Sequence, residues 1–302
     1  MTQQPLVIEK QNDGYIGRFS VMASPCEILV EHSESNGHAH PFSDIESMMW
    51  TVYREAKRIE QKFSRYAEGN IVSKINNSRG LTIKLDEETG RLIDFAYQCY
   101  ELSDGLFDIS SGVLRSVWKF DGSDNVPNQS MIDPILERIG LNKVNWKPPC
   151  ITLPEGMELD FGGIGKEYAV DRCLQVADSL IKLPILINFG GDLACNGPRK
   201  NDKPWQVGIE SVGGGNPAKV SLPGGALATS GDAKRFLIKD NIRYSHILNP
   251  ITGRSVIGAP SSVTIAAPTC IEAGLMSTMA ILQGDEAGEF LEAQDIPFWI
   301  QN

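Results

Sequence analysis

The chain has 302 residues, of which 41% are hydrophobic and 22% charged, and its formal net charge is −10. This composition is that of a globular protein with one large core or two lobes, and the negative charge argues against a surface built for nucleic acid. No apolar run approaches the ~20 residues of a membrane span, and the first residues contain no basic segment followed by an apolar one. We therefore expect a cytoplasmic protein without a membrane span.

The first half of the chain predicts one strand, Cys26–Val30, and three helices. Ser43 and Glu46 have the spacing of a capping box, and apolar residues then recur at helical spacing. These residues are Ile45, Met48, Met49, Val52, Ala56, Ile59 and Phe63. A second helix is predicted from about Asp86 to Leu102, and a third from Ser130 to a C-cap at Gly140.

In the second half, short apolar runs alternate with glycine-rich turns. The predicted strands are Ile185–Phe189, Trp205–Glu210, Ala218–Leu222, Phe236–Lys239 and Val263–Ala267. A helix from about Cys270 to Leu282 follows them. Because strands and helices do not alternate regularly, we expect an α+β fold with mixed sheets flanked by helices rather than a doubly wound parallel sheet.

The segment Glu158–Arg172 contains three glycines within four residues. A strand is predicted to end near Phe161, and a helix to begin after the glycines. Free N–H groups and the partial positive charge at a helix N-terminus suit a pyrophosphate. The segment matches neither the P-loop, since Glu167 stands where Ser or Thr is needed, nor the dinucleotide fingerprint. A structural turn is an equally good interpretation of these residues alone.

Three later segments also combine strands with turn residues. Asn188–Asp192 follows an apolar strand, and its glycines allow a ligand or another backbone to approach closely. Ala228–Asp232 and Tyr244–Gly253 come next. The last contains His246, the only histidine outside the polar stretch 32–42. A lone histidine is more often structural than catalytic, but turn residues beside it predict a position at a strand end, where functional sites tend to lie.

Taken in order, these segments resemble the FAD:protein FMN transferase (ApbE-type flavin transferase) family, from about Phe19 to Leu282. The further matching segments are Phe63–Tyr66, Ser73–Asn76, Ser103–Ile109, Ala267–Thr269 and Ser277–Thr278. The resemblance implies one domain over residues 1–302, with two interleaved lobes and FAD in the cleft between them. It also implies that FAD is cleaved, AMP leaves, and FMN is attached by a phosphoester bond to a threonine of an acceptor flavoprotein, with Mg²⁺ assisting.

The resemblance also implies roles for individual residues. His246 is the candidate general base, and Asp232 is expected to orient the chemistry or to hold the flavin end. The candidate cofactor-binding residues are Tyr66, Phe107, Asp108, Asp160, Gly163, Lys166, Gly191, Asp192 and Ser230. Among these, Tyr66 is expected to stack on the nucleotide and Lys166 to meet phosphate oxygens. For Phe107 and Asp108, a role in the core and in capping is a nearly equal alternative.

The metal site implied by the resemblance is incomplete in this chain. Gly165 matches the position that binds through its backbone carbonyl, and Thr278 matches the threonine ligand. The expected aspartate, however, falls on Gly274. Glu272 is a poor substitute, because two residues correspond to about 200° around a helix. Asp160, ligand phosphates, or metal binding only together with substrate remain alternatives for the missing ligand.

Two other functions remain open at this stage. A flavin-binding protein that has lost catalysis is suggested by Gly274, which has no side-chain ligand to offer. An FAD pyrophosphatase, in which water replaces the threonine, would use the same substrate and release free FMN and AMP.

Overall fold

A computed structural model describes residues 5–32, 40–212, 218–231 and 236–302. The helices of these ranges are α1 Phe42–Phe63, α2 Ile71–Asn76, α3 Glu87–Leu102, α4 Gln129–Leu136, α5 Gly165–Leu180, α6 Cys270–Leu282 and α7 Ala287–Glu292. Among the described helices, none is both long and apolar enough to cross a membrane.

The largest sheet of the described chain contains eight strands, and each neighbouring pair is antiparallel. In spatial order they are β1 Val7–Gln11, β2 Gly14–Val21, β3 Ser24–Glu31, β7 Ile185–Phe189, β8 Asp192–Cys195, β11 Gly225–Gly231, β14 Ser262–Ala267 and β15 Phe298–Gln301. Smaller antiparallel sheets are formed by β4 Thr82–Lys84, β6 Cys150–Thr152 and β5 Asn145–Lys147, by β9 Trp205–Ile209 with β10 Ala218–Leu222, and by β12 Phe236–Lys239 with β13 Ile242–Ser245. The mixture of antiparallel sheets and helices confirms the α+β fold class.

The two faces of the large sheet are buried in different hydrophobic clusters, as the period of two along a strand requires. On β7, Ile185, Ile187 and Phe189 belong to the main core, where α1, α5 and α6 pack. Leu186, which points to the opposite face, belongs to a second cluster with Trp205 of β9 and other residues of the β9–β10 pair. The sheet is therefore covered on both sides, and the described helices α1, α5 and α6 pack on the side of the main core.

A third hydrophobic cluster lies apart from the large sheet. It joins a short 3₁₀ helix, Ser111–Ser116, to α4 and to the β12–β13 pair, with Leu114, Ile132 and Leu237 among its buried residues. The presence of separate clusters is compatible with interleaved lobes, although the single two-lobed domain over residues 1–302 stays a prediction.

Several predicted elements are confirmed by the structure. The apolar stripe of α1 is buried as predicted, from Ile45 to Phe63. Helix α3 begins after Asp86, whose side chain accepts a hydrogen bond from the backbone N–H of Thr89. Helix α6 has its predicted bounds, and the predicted strands of the second half match the observed ones to within one residue.

Other local predictions were wrong. The predicted capping box does not form, because α1 begins at Phe42 after Pro41 and Ser43 lies inside the first turn. Helix α4 ends at Leu136 rather than near Gly140, which instead precedes a separate short helix, Leu141–Lys143. No strand ends near Phe161: the chain before it is irregular, although Leu159 and Phe161 are buried. Burial, rather than strand pairing, explains the apolar residues there.

Candidate functional site

Hydrogen bonds to its backbone hold the glycine segment in place before α5 begins. The amide side chain of Asn76 bonds both the N–H and the carbonyl of Leu159, at 2.8 and 3.0 Å, and the N–H of Asp160 donates to the carbonyl of Ile109 at 2.8 Å. The N–H of Gly165 then donates to the carbonyl of Phe161 at 2.7 Å, and the helix starts without a side-chain cap. This uncapped N-terminus is suited to accept an anion.

Asp160 connects the glycine segment to the turn after α1. One carboxylate oxygen accepts the N–H of Gly162 at 2.9 Å, and the other forms an ion pair with the guanidinium of Arg65. Arg65 also donates to the hydroxyl of Tyr66 at 2.6 Å and lies 4.8 Å from the centre of its ring. The Tyr66 side chain is 81% exposed. An aromatic ring held at the edge of the glycine segment and open on one face is suited to stack on a flat ligand.

Phe107 and Asp108 lie beneath the glycine segment and in the loop behind it. Phe107 belongs to the main core, and its ring is 3.5 Å from the place where a Cβ atom of Gly163 would stand. The buried carboxylate of Asp108 accepts hydrogen bonds from the N–H and hydroxyl of Ser110 and from the N–H of Leu141. Burial raises the pKa of Asp108, and these donors oppose the rise. The contacts favour the core-and-cap interpretation of both residues.

A tight turn between β7 and β8 places Asp192 beside the start of α5. The turn consists of Gly190 and Gly191, which have φ of 65° and 104°, values that an L side chain rarely adopts. Asp192 follows it, with a side chain that is only 3% exposed. Its carboxylate pairs with the ammonium of Lys166 at 2.5 Å and accepts the N–H of Thr229 at 3.1 Å. The pKa of Lys166 is raised: burial opposes the charged form, but the charges of Asp192 and Glu167 outweigh it.

A group of hydroxyls lies next to this ion pair. Ser230 follows Thr229 on β11, and its hydroxyl is 2.8 Å from the hydroxyls of both Ser277 and Thr278 on α6. Ser277 in turn donates to the carbonyl of Gly274 at 2.9 Å. Lys166, Asp192, Ser230 and Thr278 are therefore brought together by contacts between α5, β8, β11 and α6.

Helices α5 and α6 are joined by two acidic residues one turn apart. Asp171 accepts hydrogen bonds from the N–H groups of Cys270 and Ile271, at 2.8 and 2.9 Å, and so caps the N-terminus of α6. Glu167 lies against Gly274, one turn further along α6: a Cβ atom at Gly274 would be 2.5 Å from Cγ of Glu167. The Oε2 atom of Glu167 is shielded from solvent and has no hydrogen-bond partner among the described residues. Burial and the nearby Asp192 raise the pKa of this carboxyl.

His246 lies directly after β13, as the prediction of a strand end required. Its ring centre is 6.3 Å from that of Phe120, in an edge-on arrangement. The neighbouring Ile247 packs against the main core, whereas Tyr244 and Leu248 pack against the third cluster. His246 therefore stands on a segment anchored on both sides. Asp232, the other predicted catalytic residue, lies outside the described residues.

Reasoning from the sequence missed three contributors to this arrangement. Arg65 lies within a segment that was singled out, but only the structure reveals its ion pair with Asp160. The backbone of Thr229 fixes Asp192. In the sequence, Glu167 resembles an ordinary acidic residue in the first turn of a helix, where a negative charge interacts favourably with the helix dipole. The burial of its Oε2 atom could have been suspected only from the helical spacing between Glu167 and the apolar Val170.

The chain is similar in sequence to known proteins of one family. A family model described as the ApbE family matches residues 22–299. The FAD:protein FMN transferase of Vibrio cholerae is 26% identical over 268 residues, covering 84% of this chain and 79% of the relative. The corresponding protein of Escherichia coli K12 is 26% identical over 240 residues, covering 75% of this chain and 68% of the relative.

The fold is also similar to solved structures. The crystal structure of the ApbE protein from Thermotoga maritima superposes with a TM-score of 0.82 and 30% identity, covering 98% of this chain and 94% of that one. Because the family model spans most of the chain and the fold agrees, this chain belongs to the ApbE family.

Proposed function

We propose that this protein is an FAD:protein FMN transferase that attaches FMN to a threonine of an acceptor flavoprotein. The observation that carries the proposal is the set of contacts joining Lys166, Asp192, Ser230 and Thr278 at the uncapped N-terminus of α5. A cation, hydroxyls and backbone N–H groups at one place match the needs of a pyrophosphate substrate. Membership of a family whose curated relatives bear the transferase name supports the same activity.

The reaction exchanges one bond to phosphorus for another. The acceptor threonine oxygen attacks the phosphorus of the FMN half of FAD, while the bond from that phosphorus to the bridging oxygen breaks. AMP leaves with the electron pair, and the threonine proton passes to a base. Negative charge grows on the phosphoryl and leaving oxygens, so the protein must place positive charge and donors around them.

The described residues provide several of these groups. Lys166 keeps donors available beyond its bond to Asp192, because an ammonium has three, and its side chain is 28% exposed. We propose that it binds phosphate oxygens together with the N–H groups at the start of α5. Tyr66 stacks on a flat ring of FAD, and Arg65 and Asp160 hold it at the edge of the glycine segment.

The oxygen donors around Thr278 fit the Mg²⁺ ion that the resemblance implies, since Mg²⁺ prefers oxygen ligands. We propose that the Thr278 hydroxyl and the backbone carbonyl of Gly165 hold it. When bound, Mg²⁺ supplies positive charge that stabilises the developing phosphate charge. The nearby carboxylate of Glu167, whose Oε2 atom is buried and unpartnered among the described residues, is an observation that favours a cation at this place.

The direct test combines the purified protein, FAD, Mg²⁺ and a candidate acceptor flavoprotein. Expected results are a fluorescent flavin on the acceptor band of a denaturing gel, an equal amount of AMP, and loss of the label when the acceptor threonine is replaced by alanine. FAD binding without AMP release would instead support a binding protein. Free FMN and AMP without an acceptor would support a pyrophosphatase.

His246 is proposed as the base that accepts the threonine proton. His246→Ala should reduce the transfer rate by about 10²-fold or more while the Kd for FAD changes little. His40→Ala is a matched control, because His40 lies before α1 and pairs only loosely with Asp44, at 3.7 Å. Equal losses of FAD affinity and transfer in the His246 variant would show that this residue is structural.

We propose a reductase-type flavoprotein as acceptor and the cytoplasm as the compartment. Fractionation of cells that produce the protein, followed by detection of covalently bound FMN in each fraction, would test both. Label confined to membrane or exported fractions would contradict the proposed location.

A further inference from the structure

We propose that Glu167 is a direct ligand of a divalent cation bound between α5 and α6, in the place where Gly274 has no side chain to offer. Binding of the cation does not depend on the proposed transferase function; only its role in flavin transfer rests on that function. The basis of the proposal is the position of the Glu167 carboxyl, the oxygen donors near it, and the lack of a hydrogen-bond partner for its Oε2 atom among the described residues.

The side chain of Glu167 occupies the space above Gly274. A Cβ atom built on Gly274 would be 2.5 Å from Cγ, 3.1 Å from Cδ and 3.2 Å from Oε1 of Glu167. The carboxyl group therefore lies where a side chain from α6 would project. Thr278 is four residues after Gly274, so their side-chain positions lie on the same face of α6, about 5–6 Å apart. A carboxylate from α5 thus reaches the same face of α6 as the Thr278 hydroxyl.

A role in packing alone would explain why a side chain fills the space above Gly274, but not why that side chain is a carboxylate. An apolar side chain would fill the space above Gly274 without placing a carboxylate in a buried position. Oε2 of Glu167 is shielded from solvent and has no hydrogen-bond partner among the described residues. Buried polar atoms are almost always paired, and an exception calls for a missing partner such as an ion. A cation would provide that partner.

The neighbouring charges favour a cation at this place. Asp192 pairs with the ammonium of Lys166 at 2.5 Å, and the Glu167 carboxyl lies near this pair. Two carboxylates with one ammonium leave a net negative charge when both are ionised. A divalent ion would relieve the repulsion between these carboxylates.

The available donors identify the class of ion. Besides Glu167, the site offers the hydroxyls of Thr278 and Ser230, which are 2.8 Å apart, and all of these donors are oxygens. Within the described ranges, no group of three or more His, Cys, Asp or Glu side chains forms a metal site. A site with few carboxylates, hydroxyls and retained waters is typical of Mg²⁺ or Mn²⁺ rather than Zn²⁺.

The test measures Mn²⁺ binding to the full chain by electron paramagnetic resonance, with and without FAD and with no acceptor present. Glu167→Gln keeps the shape of the side chain but removes its charge. We expect it to weaken Mn²⁺ binding by about tenfold or more, since even the outer partners of metal ligands contribute that much. Glu272→Gln is the matched control, because Glu272 is an exposed acidic residue in the first turn of α6. Its Mn²⁺ affinity should equal that of the wild type.

A second variant moves the carboxylate to the other helix. In Glu167→Ala/Gly274→Asp, the space that Glu167 leaves is filled by an aspartate from α6. We expect this variant to bind Mn²⁺ within a few-fold of the wild type, whereas Glu167→Ala alone does not. Circular dichroism confirms that each variant is folded, so that a loss of binding is not a loss of structure.

The possible outcomes separate this inference from the proposed function. If Glu167→Gln binds Mn²⁺ as tightly as the wild type, or the wild type binds none with or without FAD, then Glu167 is not a ligand. Glu167 would then share a proton with Asp192 instead. If Mn²⁺ binding depends on Glu167 but no FMN is transferred to any acceptor, the site stands and the proposed transferase function fails.

Discussion

The close contact between Gly274 and Glu167 can be measured through protein stability. Replacing Gly274 with alanine places a Cβ atom 2.5 Å from Cγ of Glu167, whereas ordinary carbon contacts are about 3.5–4.0 Å. The Glu167 side chain must therefore move by about 1 Å, and overpacking of this kind costs about 1–3 kcal/mol. Alanine is favoured over glycine inside a helix by about 1 kcal/mol. We expect Gly274→Ala to lower the free energy of unfolding by about 1 kcal/mol.

The same substitution should have the opposite sign once Glu167 is shortened. In a Glu167→Ala background the contact is gone, so Gly274→Ala should raise the free energy of unfolding by about 1 kcal/mol through helix propensity alone. Gly90→Ala on α3 is the matched control, because a Cβ atom there would be 3.6 Å from the Trp146 ring, an ordinary contact. Urea unfolding of the four combinations of Gly274 and Glu167 gives the coupling energy. If Gly274→Ala stabilises the wild type as much as Gly90→Ala does, the contact is not tight.

Two further predictions concern ion pairing and a turn. Hydrogen bonds from Arg58 first, then from Lys62 and Tyr168, lower the pKa of Glu88 from 4.5 to about 2. The contribution of Glu88 to the free energy of unfolding is therefore present above pH ~4.5 and is lost as the pH falls towards 2. The full shift corresponds to about 3 kcal/mol, and solvent exposure reduces this to about 1–2 kcal/mol. Urea midpoints of Glu88→Gln and wild type should therefore differ at pH 7 and converge only as the pH approaches 2. A difference that stays constant from pH 7 to pH 2 would contradict this explanation. Gly253 has a φ of 68°, and a Cβ atom there would be 2.4 Å from Ile132, so Gly253→Ala should cost about 2–4 kcal/mol. Gly69→Ala, with a φ of 75° but open space around it, should cost only about 1–2 kcal/mol, and equal losses in urea unfolding would exclude the Ile132 contact.

The elements best predicted from the sequence are those in which the spacing of apolar residues within the element itself shows which face is buried. The stripe of α1 and the bounds of α6 were predicted because their apolar residues repeat at the period of a helix. The strand β2, Gly14–Val21, was not predicted, because glycines and Arg18 interrupt its apolar residues, although Phe19 and Val21 pack in the main core. The capping box at Ser43 failed for a different reason: the chain enters α1 at Pro41, and the helix begins before the serine.

Most of the residues proposed for the candidate site could be named from the sequence, but the contacts between them could not. The sequence indicated that Gly274 has no side-chain ligand to offer, and helix geometry made Glu272 a poor substitute. It could not indicate that Glu167 faces Gly274, because that contact depends on how α5 and α6 pack against each other. The pairing of Lys166 with Asp192 depends in the same way on the turn at Gly190 and Gly191, which brings β8 back beside α5.

The space shared by Glu167 and Gly274 has a consequence for how this protein can change over evolutionary time. Because Glu167 fills that space, an aspartate at position 274 cannot arise first without a collision, and loss of Glu167 alone would remove the carboxylate that we propose as the cation ligand. Neither order of single substitutions is neutral, even though the two positions lie far apart in the chain. A lineage that moves its acidic group from one helix to the other must therefore pass through a weakened intermediate or change both codons together.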